Sequence, residues 1–321
     1  MDSLLEVSDL SVEYRIGQAL IHALDHVSIS LRQGQSIGIV GESGSGKTTL
    51  GMGIMKLIEP PGKISSGQVR YMDGEVFNYS DKELRHYRWE EVAMIYQSAM
   101  NSLNPVKTIT HPIAEVLRYH KRLSKGDAYD QTIKMLQDVG ISQERALSYP
   151  HEMSGGMRQR VVIALALALS PKLLIADEPT SALDVVTQKQ ILALIRKQVV
   201  QNGRSLLFIT HEIALLNGLV EEIAIMYAGE VVERGPFAEV IRTPLHPYTE
   251  MLLSTILTAE SPLRDLSSFS TAGSKERGVS KELNACRYAN RCKYAFDRCA
   301  KERPLLKESG KGRLVACHKY N

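Results

Sequence analysis

The chain has 321 residues, 44% hydrophobic and 23% charged, an ordinary balance for a globular protein with room for one large domain and an appendage or two modest domains. It opens Met1-Asp2-Ser3-Leu4-Leu5-Glu6, without the basic start and apolar core of a signal peptide, and no stretch approaches the roughly 18 apolar residues of a membrane span. The expectation is a cytosolic protein that meets any membrane through a partner. Its formal charge of +3 is uneven: residues 281–321 carry eleven Lys or Arg against four Asp or Glu, net +7, which leaves −4 for residues 1–280. Such a tail suits anionic lipid, nucleic acid, an acidic protein face or a plain solvated surface. All four cysteines, Cys286, Cys292, Cys299 and Cys317, lie in it, and in a reducing cytosol that clustering argues for metal rather than disulfides.

Residues 4–14 alternate well enough for one or two short edge strands. Tyr14, which closes them about thirty residues before Lys47, suits either stacking on an adenine ring or a place as an ordinary strand aromatic. Residues 20–33 continue the period-2 pattern. His22 and His26 have no ligand-spaced companions and read as surface or internally satisfied histidines. The apolar run Ser36-Ile37-Gly38-Ile39-Val40 then leads into Gly41-Glu42-Ser43-Gly44-Ser45-Gly46-Lys47-Thr48-Thr49, and residues 50–58 form a helix, despite Gly51 and Gly53, that Pro60-Pro61-Gly62 ends. Strand, glycine loop and helix are the setting in which G-x-x-x-x-G-K-[ST] carries weight. Gly41, Gly44 and Gly46 allow torsions and close approaches that a side chain would block, so backbone N–H groups from Gly41 through Ser43 to Thr49 can turn inward on a phosphate chain. The dipole of the helix starting near Lys47 favours the same anion; Lys47 would reach the β- and γ-phosphates and the Thr48 hydroxyl would ligate Mg²⁺.

Residues 67–76 have strand and turn character. Met94-Ile95-Tyr96 is a short strand that delivers Gln97, able to reach Mg²⁺ or an attacking water, though a lone Gln carries no weight. Residues 109–149 read as helices with polar faces. Ser154-Gly155-Gly156 opens a helix running to residue 169 that is apolar nearly all round and hence buried; its N–H groups and hydroxyl suit a phosphate or, equally, a simple cap. Residues 172–178 form an apolar strand ending in Asp177 and Glu178 at the carboxyl edge of a parallel sheet, where the glycine loop also sits. There Asp177 can hold Mg²⁺ through water and Glu178 can orient or deprotonate the attacking water. Residues 206–210 bring His211 to the same edge, where an imidazole can meet a γ-phosphate, and residues 223–235 form a hairpin around Ala228-Gly229.

Taken together, in this order and spacing, these segments resemble the ABC-type ATPases. Tyr14 looks like the A-loop aromatic, residues 41–49 like Walker A, Gln97 like the Q-loop, Ser154-Gly155-Gly156 like the signature, Asp177-Glu178 like Walker B, Ser181-Ala182-Leu183-Asp184 like the D-loop and His211 like the switch histidine. The likeness covers about residues 5–235. Where the usual signature is Leu-Ser-Gly-Gly-Gln, Met153 and Met157 stand at its ends. The continuation Met157-Arg158-Gln159-Arg160 is similar to the dipeptide/oligopeptide importer branch, as is Thr243-Pro244-Leu245-His246-Pro247-Tyr248-Thr249.

The resemblance implies an α/β P-loop ATPase core of mixed sheet and flanking helices over residues 1–235, with a helical subdomain inserted at about residues 98–165. An extension over residues 236–321 would follow, crossing a polar linker at 259–281 and ending in a small metal-binding domain. It implies ATP and Mg²⁺ as cofactors and Glu178, His211 and Gln97 as the catalytic group. It also implies a second homologous ATPase subunit as heterodimer partner, two membrane permeases docking near residues 97–105, an extracytoplasmic substrate-binding protein, and a place on the cytoplasmic face of the cell membrane. The cysteine spacing, C-x5-C-x6-C-x17-C, suits a [4Fe–4S] cluster, as in some members of this branch, or a tetrahedral Zn²⁺, whose usual pairs are closer; free thiols are the third reading. His318 is set aside because four cysteines complete a site. Other readings are a related importer of nickel or small glycans, and a soluble ABC-type ATPase acting on nucleic acid. Against the latter stand the single P-loop and the lack of a coiled-coil insertion or second cassette, so no nucleic-acid partner is expected. A metabolic P-loop kinase would have no use for the Ser-Gly-Gly signature.

Overall fold

The computed structural model describes residues 3–260 and 284–320. Strands β1 (Ser3–Ile16) and β2 (Ala19–Arg32) make a hairpin that turns at Gly17, and β3 (Ser36–Val40) runs into helix α1 (Lys47–Ile54). β4 (Gly62–Tyr71), β5 (Gly74–Glu75), the short helix α2 (Asp81–His86) and β6 (Val92–Ile95) follow. Three helices, α3 (Thr110–Lys121), α4 (Lys125–Asp138) and α5 (Gly155–Ala166), separate β6 from β7 (Leu173–Asp177). Then come α6 (Val185–Ile195), β8 (Ser205–Thr210), β9 (Glu222–Tyr227), β10 (Glu230–Pro236), α7 (Phe237–Arg242), α8 (Pro247–Glu260), β11 (Lys307–Glu308) and β12 (Leu314–Val315). Among the described residues no helix is long and apolar enough to cross a membrane.

The strands form two sheets. One is antiparallel, in the order β2-β1-β4-β5; the other is mixed, in the order β11-β12-β10-β9-β3-β8-β7-β6, with β9, β3, β8, β7 and β6 parallel. The central parallel strands are buried on both faces, which is why they read as unbroken apolar runs. Alternate residues serve two cores. Ile37, Ile39, Ile175 and Ile209 pack toward α1 and the antiparallel sheet, while Leu174, Ala176, Leu206 and Phe208 pack toward α3 to α6. α1 is thus wedged between the sheets, and this explains its two interior glycines. A Cβ on Gly51 would lie 3.1 Å from Met94 and 3.3 Å from Ile209, and one on Gly53 3.0 Å from Leu10.

Three elements depart from expectation. β1 is an interior strand, paired with β2 on one side and β4 on the other, rather than an edge. It looks like two pieces in sequence because Asp9, at φ 49°, breaks both registers in a bulge. α2 carries a capping box, Ser80 with Glu83, that the sequence reading passed over. Finally, the extension donates β12 to the mixed sheet, Glu233 opposite Val315 and Arg234 opposite Leu314. The linker expected over residues 259–281 lies outside the described residues but for its first two, which end α8.

The basic tail is occupied in holding the core. Arg287 reaches Asp25 at 2.6 Å and Glu230 at 3.2 Å, Arg303 reaches both at 3.1 Å, and Arg313 pairs with Glu233. Arg291 pairs with Glu42. Four arginines of the tail thus pair with acids of residues 25–233.

Candidate active site

Strands β3, β6, β7 and β8 are parallel neighbours, so the residues just past their ends share one edge of the sheet. After β3 the chain makes the glycine loop, with Gly44 at φ 77° and Gly46 at φ 100°, both left-handed. A Cβ on Gly41 would sit 2.1 Å from the Met226 carbonyl oxygen, and one on Gly46 2.4 Å from that of Ala23. Close approach as well as torsion therefore fixes glycine there. α1 starts at Lys47 with no side-chain cap, so its first N–H groups are left for the loop's mouth. Buried Lys47 spans the loop, its Nζ donating to the carbonyls of Gly41 (2.8 Å) and Glu42 (2.9 Å). Burial lowers its pKa, opposed by the charges of Glu178, Asp177 and Glu42.

Over the loop lies a cavity of about 810 Å³, lined by Ser43, Gly44, Gly46, Lys47, Thr48, Thr49, Gln97 and Glu178. That volume suits a nucleotide-sized ligand. Its far wall is residues 19–23 of β2 with Ala228 and Arg287. Tyr14 is not in that wall: it is half-buried and pairs across the β1–β2 ladder with Ile21. The surface there is instead made by Leu20 and Ile21, 46% and 48% exposed, and by His22. His22, set aside in the sequence, thus lines the site. Arg287 had no local signal at all, being brought there by the fold of the extension.

The two carboxylates after the Leu173 strand are treated differently. Asp177 is fully buried and neither of its oxygens has a well-formed hydrogen bond within the chain; the Thr48 hydroxyl is its nearest polar neighbour. Burial raises its pKa, Thr48 opposing and the Glu178 charge adding. Glu178 turns out of the strand at φ 44°, its N–H held by the Ile209 carbonyl at 2.9 Å. Its Oε1 lies 2.8 Å from His211 Nδ1 and its Oε2 accepts from Gln97 Nε2 at 3.1 Å. β6 and β8 flank β7, so Gln97 and His211 close on Glu178 from either side.

Ser154, Gly155 and Gly156 are elsewhere; none lines this cavity. Ser154 caps α5, accepting from the Met157 N–H at 3.3 Å. A Cβ on Gly156 would lie 2.4 Å from Thr187 of α6, and Thr187 donates its N–H to the capping Asp184 at 2.9 Å. The Ser154 turn and the segment ending in Asp184 therefore form one packed surface.

Cys286, Cys292, Cys299 and Cys317 line a single small cavity together with Tyr288, Phe296 and His318. His318 places Nε2 2.9 Å from the Glu302 carbonyl. Burial, with the other three thiols adding, pushes Cys286 up to about 12, and burial likewise raises Cys292 and Cys317. Among the described residues no group of three or more His, Cys, Asp or Glu side chains is placed to hold a metal ion, so the structure does not support the metal-binding domain expected there.

A glycine loop, a buried unpartnered Asp and a Gln–Glu–His group on one sheet edge define a P-loop ATPase. Comparison with known proteins gives the particular family. The ABC transporter family matches residues 24–181, and the oligopeptide/dipeptide transporter C-terminal region matches residues 232–299. The oligopeptide transport ATP-binding protein AppD of Bacillus subtilis is 39% identical over all of this chain and 98% of its own length. The dipeptide transport ATP-binding protein DppD of Escherichia coli is 40% identical over 98% of this chain and 96% of its own. A post-hydrolysis dimer of the ATP-binding cassette MJ0796, bound to ADP and Pi, superposes with TM-score 0.65 and 28% identity, covering 73% of this chain and 98% of that one. The chain belongs to the ABC transporter family, among the ATP-binding proteins that carry the oligopeptide/dipeptide transporter C-terminal region, and it is an ATPase.

Proposed function

We propose that this chain powers the import of di- or oligopeptides, as one of two ATPase subunits on the cytoplasmic face of a membrane transporter. The observation that carries the reading is the convergence of Gln97, Glu178 and His211 beside the phosphate loop. Relatives named for oligopeptide and dipeptide transport support the solute class. Two permeases and an extracytoplasmic binding protein complete the assembly, the permeases docking near residues 97–105, which begin at the site's own Gln97. We read residues 1–235 as the ATPase unit, with α3 to α5 as its helical subdomain, and residues 236–321 as the extension.

In this reading the N–H groups of Gly41 to Thr49 cradle the phosphates and Lys47 moves from its loop carbonyls to the β- and γ-phosphates. Asp177, Thr48 and Gln97 fit Mg²⁺, since Asp177 is a buried acceptor without a satisfying partner; when bound, the ion neutralises β- and γ-phosphate oxygens. Glu178 holds the attacking water and takes its proton as the bond from the γ-phosphorus to the bridging oxygen breaks, leaving ADP and inorganic phosphate. An ionised carboxylate only accepts, so His211 Nδ1 carries the hydrogen in that pair and orients Glu178. Because Ser154, Gly155 and Gly156 do not reach the chain's own cavity, they cap the phosphates of the partner ATPase, and the partner's counterpart caps these. Glu178→Gln keeps shape but removes the base. In the reconstituted importer it should retain ATP, lower hydrolysis by about 10² or more and abolish peptide uptake; uptake at the wild-type rate contradicts the assignment.

We further propose that the four thiols, which line one small cavity, hold a [4Fe–4S] cluster, with a tetrahedral zinc as the alternative. A cationic core would also release the protons that burial holds on these thiols. Protein purified without oxygen should contain about four irons per chain, lost in Cys292→Ser; stoichiometric zinc in colourless protein would reject the cluster.

A further inference from the structure

Glu42 is the second residue of the phosphate loop, and a carboxylate there places negative charge beside a site that must hold a polyanion. The extension answers it. Arg291 donates a fork of hydrogen bonds, Nη1 to Oε2 at 2.8 Å and Nη2 to Oε1 at 2.9 Å, across 249 positions of sequence. Its guanidinium lies over the rings of Tyr227 and Tyr288, 5.6 and 5.7 Å from their centroids, so its position is set by packing. The backbone of Glu42 is fixed as well: its N–H donates to Tyr248 Oη at 2.9 Å, and its carbonyl accepts from Lys47 at 2.9 Å. Tyr248 is fully buried and packs against Tyr227 and Tyr288. The ion pair itself is a third exposed on the arginine and 41% on the glutamate, so it adds little to stability. Its effect is on charge and loop geometry.

We propose that Arg291 is a positioning residue of the nucleotide site: it neutralises Glu42 and, with Tyr248, holds the loop in its phosphate-accepting shape. The cysteine-bearing extension is then a working part of the ATP site. The inference rests on the ATP-binding reading above.

The test is equilibrium binding of MgATP to the full-length chain by calorimetry, at low and high salt. Arg291→Ala should weaken binding on the order of tenfold, since an uncompensated negative charge is then left on the phosphate loop itself. The loss should shrink as salt screens it. Glu42→Gln alone, which keeps an amide oxygen to accept from Arg291 but removes the negative charge, should tighten binding several-fold, and the double variant should return to within about threefold of wild type. Arg291→Ala binding within twofold of wild type overturns the proposal, as does a double variant no better than Arg291→Ala, which would make the arginine a packing element only. Should Arg291→Ala fail to fold, Glu42→Gln decides, and weaker or unchanged binding overturns the proposal. A wild-type chain that binds no MgATP would instead break the functional reading.

Discussion

Asp177 and Glu233 are both fully buried carboxylates on strands of the same sheet, yet the chain treats them in opposite ways. Glu233, toward the tail edge, is completed by the fold: Arg313 pairs with it, and the N–H groups of Leu245 and His246 donate to it at 3.0 and 2.9 Å. Asp177, at the nucleotide edge, has no well-formed hydrogen bond within the chain; the Thr48 hydroxyl and the Lys47 charge act on it without completing it. A buried carboxylate that the fold satisfies is part of the fold, whereas one left unsatisfied costs stability that a bound cation can return. The tail edge is built to be finished in the empty protein and the nucleotide edge to be finished by its ligand.

The contrast can be broken first at Glu233. Glu233→Ala strands Arg313 as a buried, unpaired cation, so unfolding in denaturant should show a loss of about 3–5 kcal/mol. A loss below about 1 kcal/mol would mean that the tail edge is not integral. A smaller effect comes from His246, which is buried and accepts the Tyr248 N–H at its Nδ1, 3.1 Å away. Burial pushes its pKa down to about 3 from 6.5. The unfolded chain takes a proton on this ring below 6.5 and the folded chain does not, so the stability it contributes is present above pH 6.5 and drains as pH falls. By pH 5 the loss is roughly 2 kcal/mol. His246→Asn should flatten that slope in denaturant midpoints measured from pH 7 to pH 5; a slope as steep as wild type would place the acid sensitivity elsewhere.

The same contrast explains what could be read in the sequence. At the nucleotide edge Gln97, Glu178 and His211 sit within a residue or two of a strand end and Lys47 opens the helix after the glycine loop, so local pattern and strand order suffice to gather them. The tail edge is assembled from two-residue strands, too short for any period, and from pairs such as Arg287 with Asp25, 262 positions apart. Its only trace in the sequence is the +7 tail against a −4 body. His22 and Arg287 were missed as cavity residues for the same reason, since neither belongs to a local motif. β1 was misplaced because an edge strand and a bulged interior strand differ in their partners, not in their own residues.

The most direct measurement is thermal unfolding of the full chain with and without MgATP in two variants, Asp177→Asn and Glu233→Gln. Asp177→Asn should melt at or above the wild-type temperature without ligand, since a buried carboxylate without a hydrogen-bond partner is gone, and should lose most of the upward shift that MgATP gives. Glu233→Gln should melt several degrees lower yet keep that shift. A full MgATP shift in Asp177→Asn, or its loss in Glu233→Gln, would contradict the division between an edge completed by the fold and an edge completed by nucleotide.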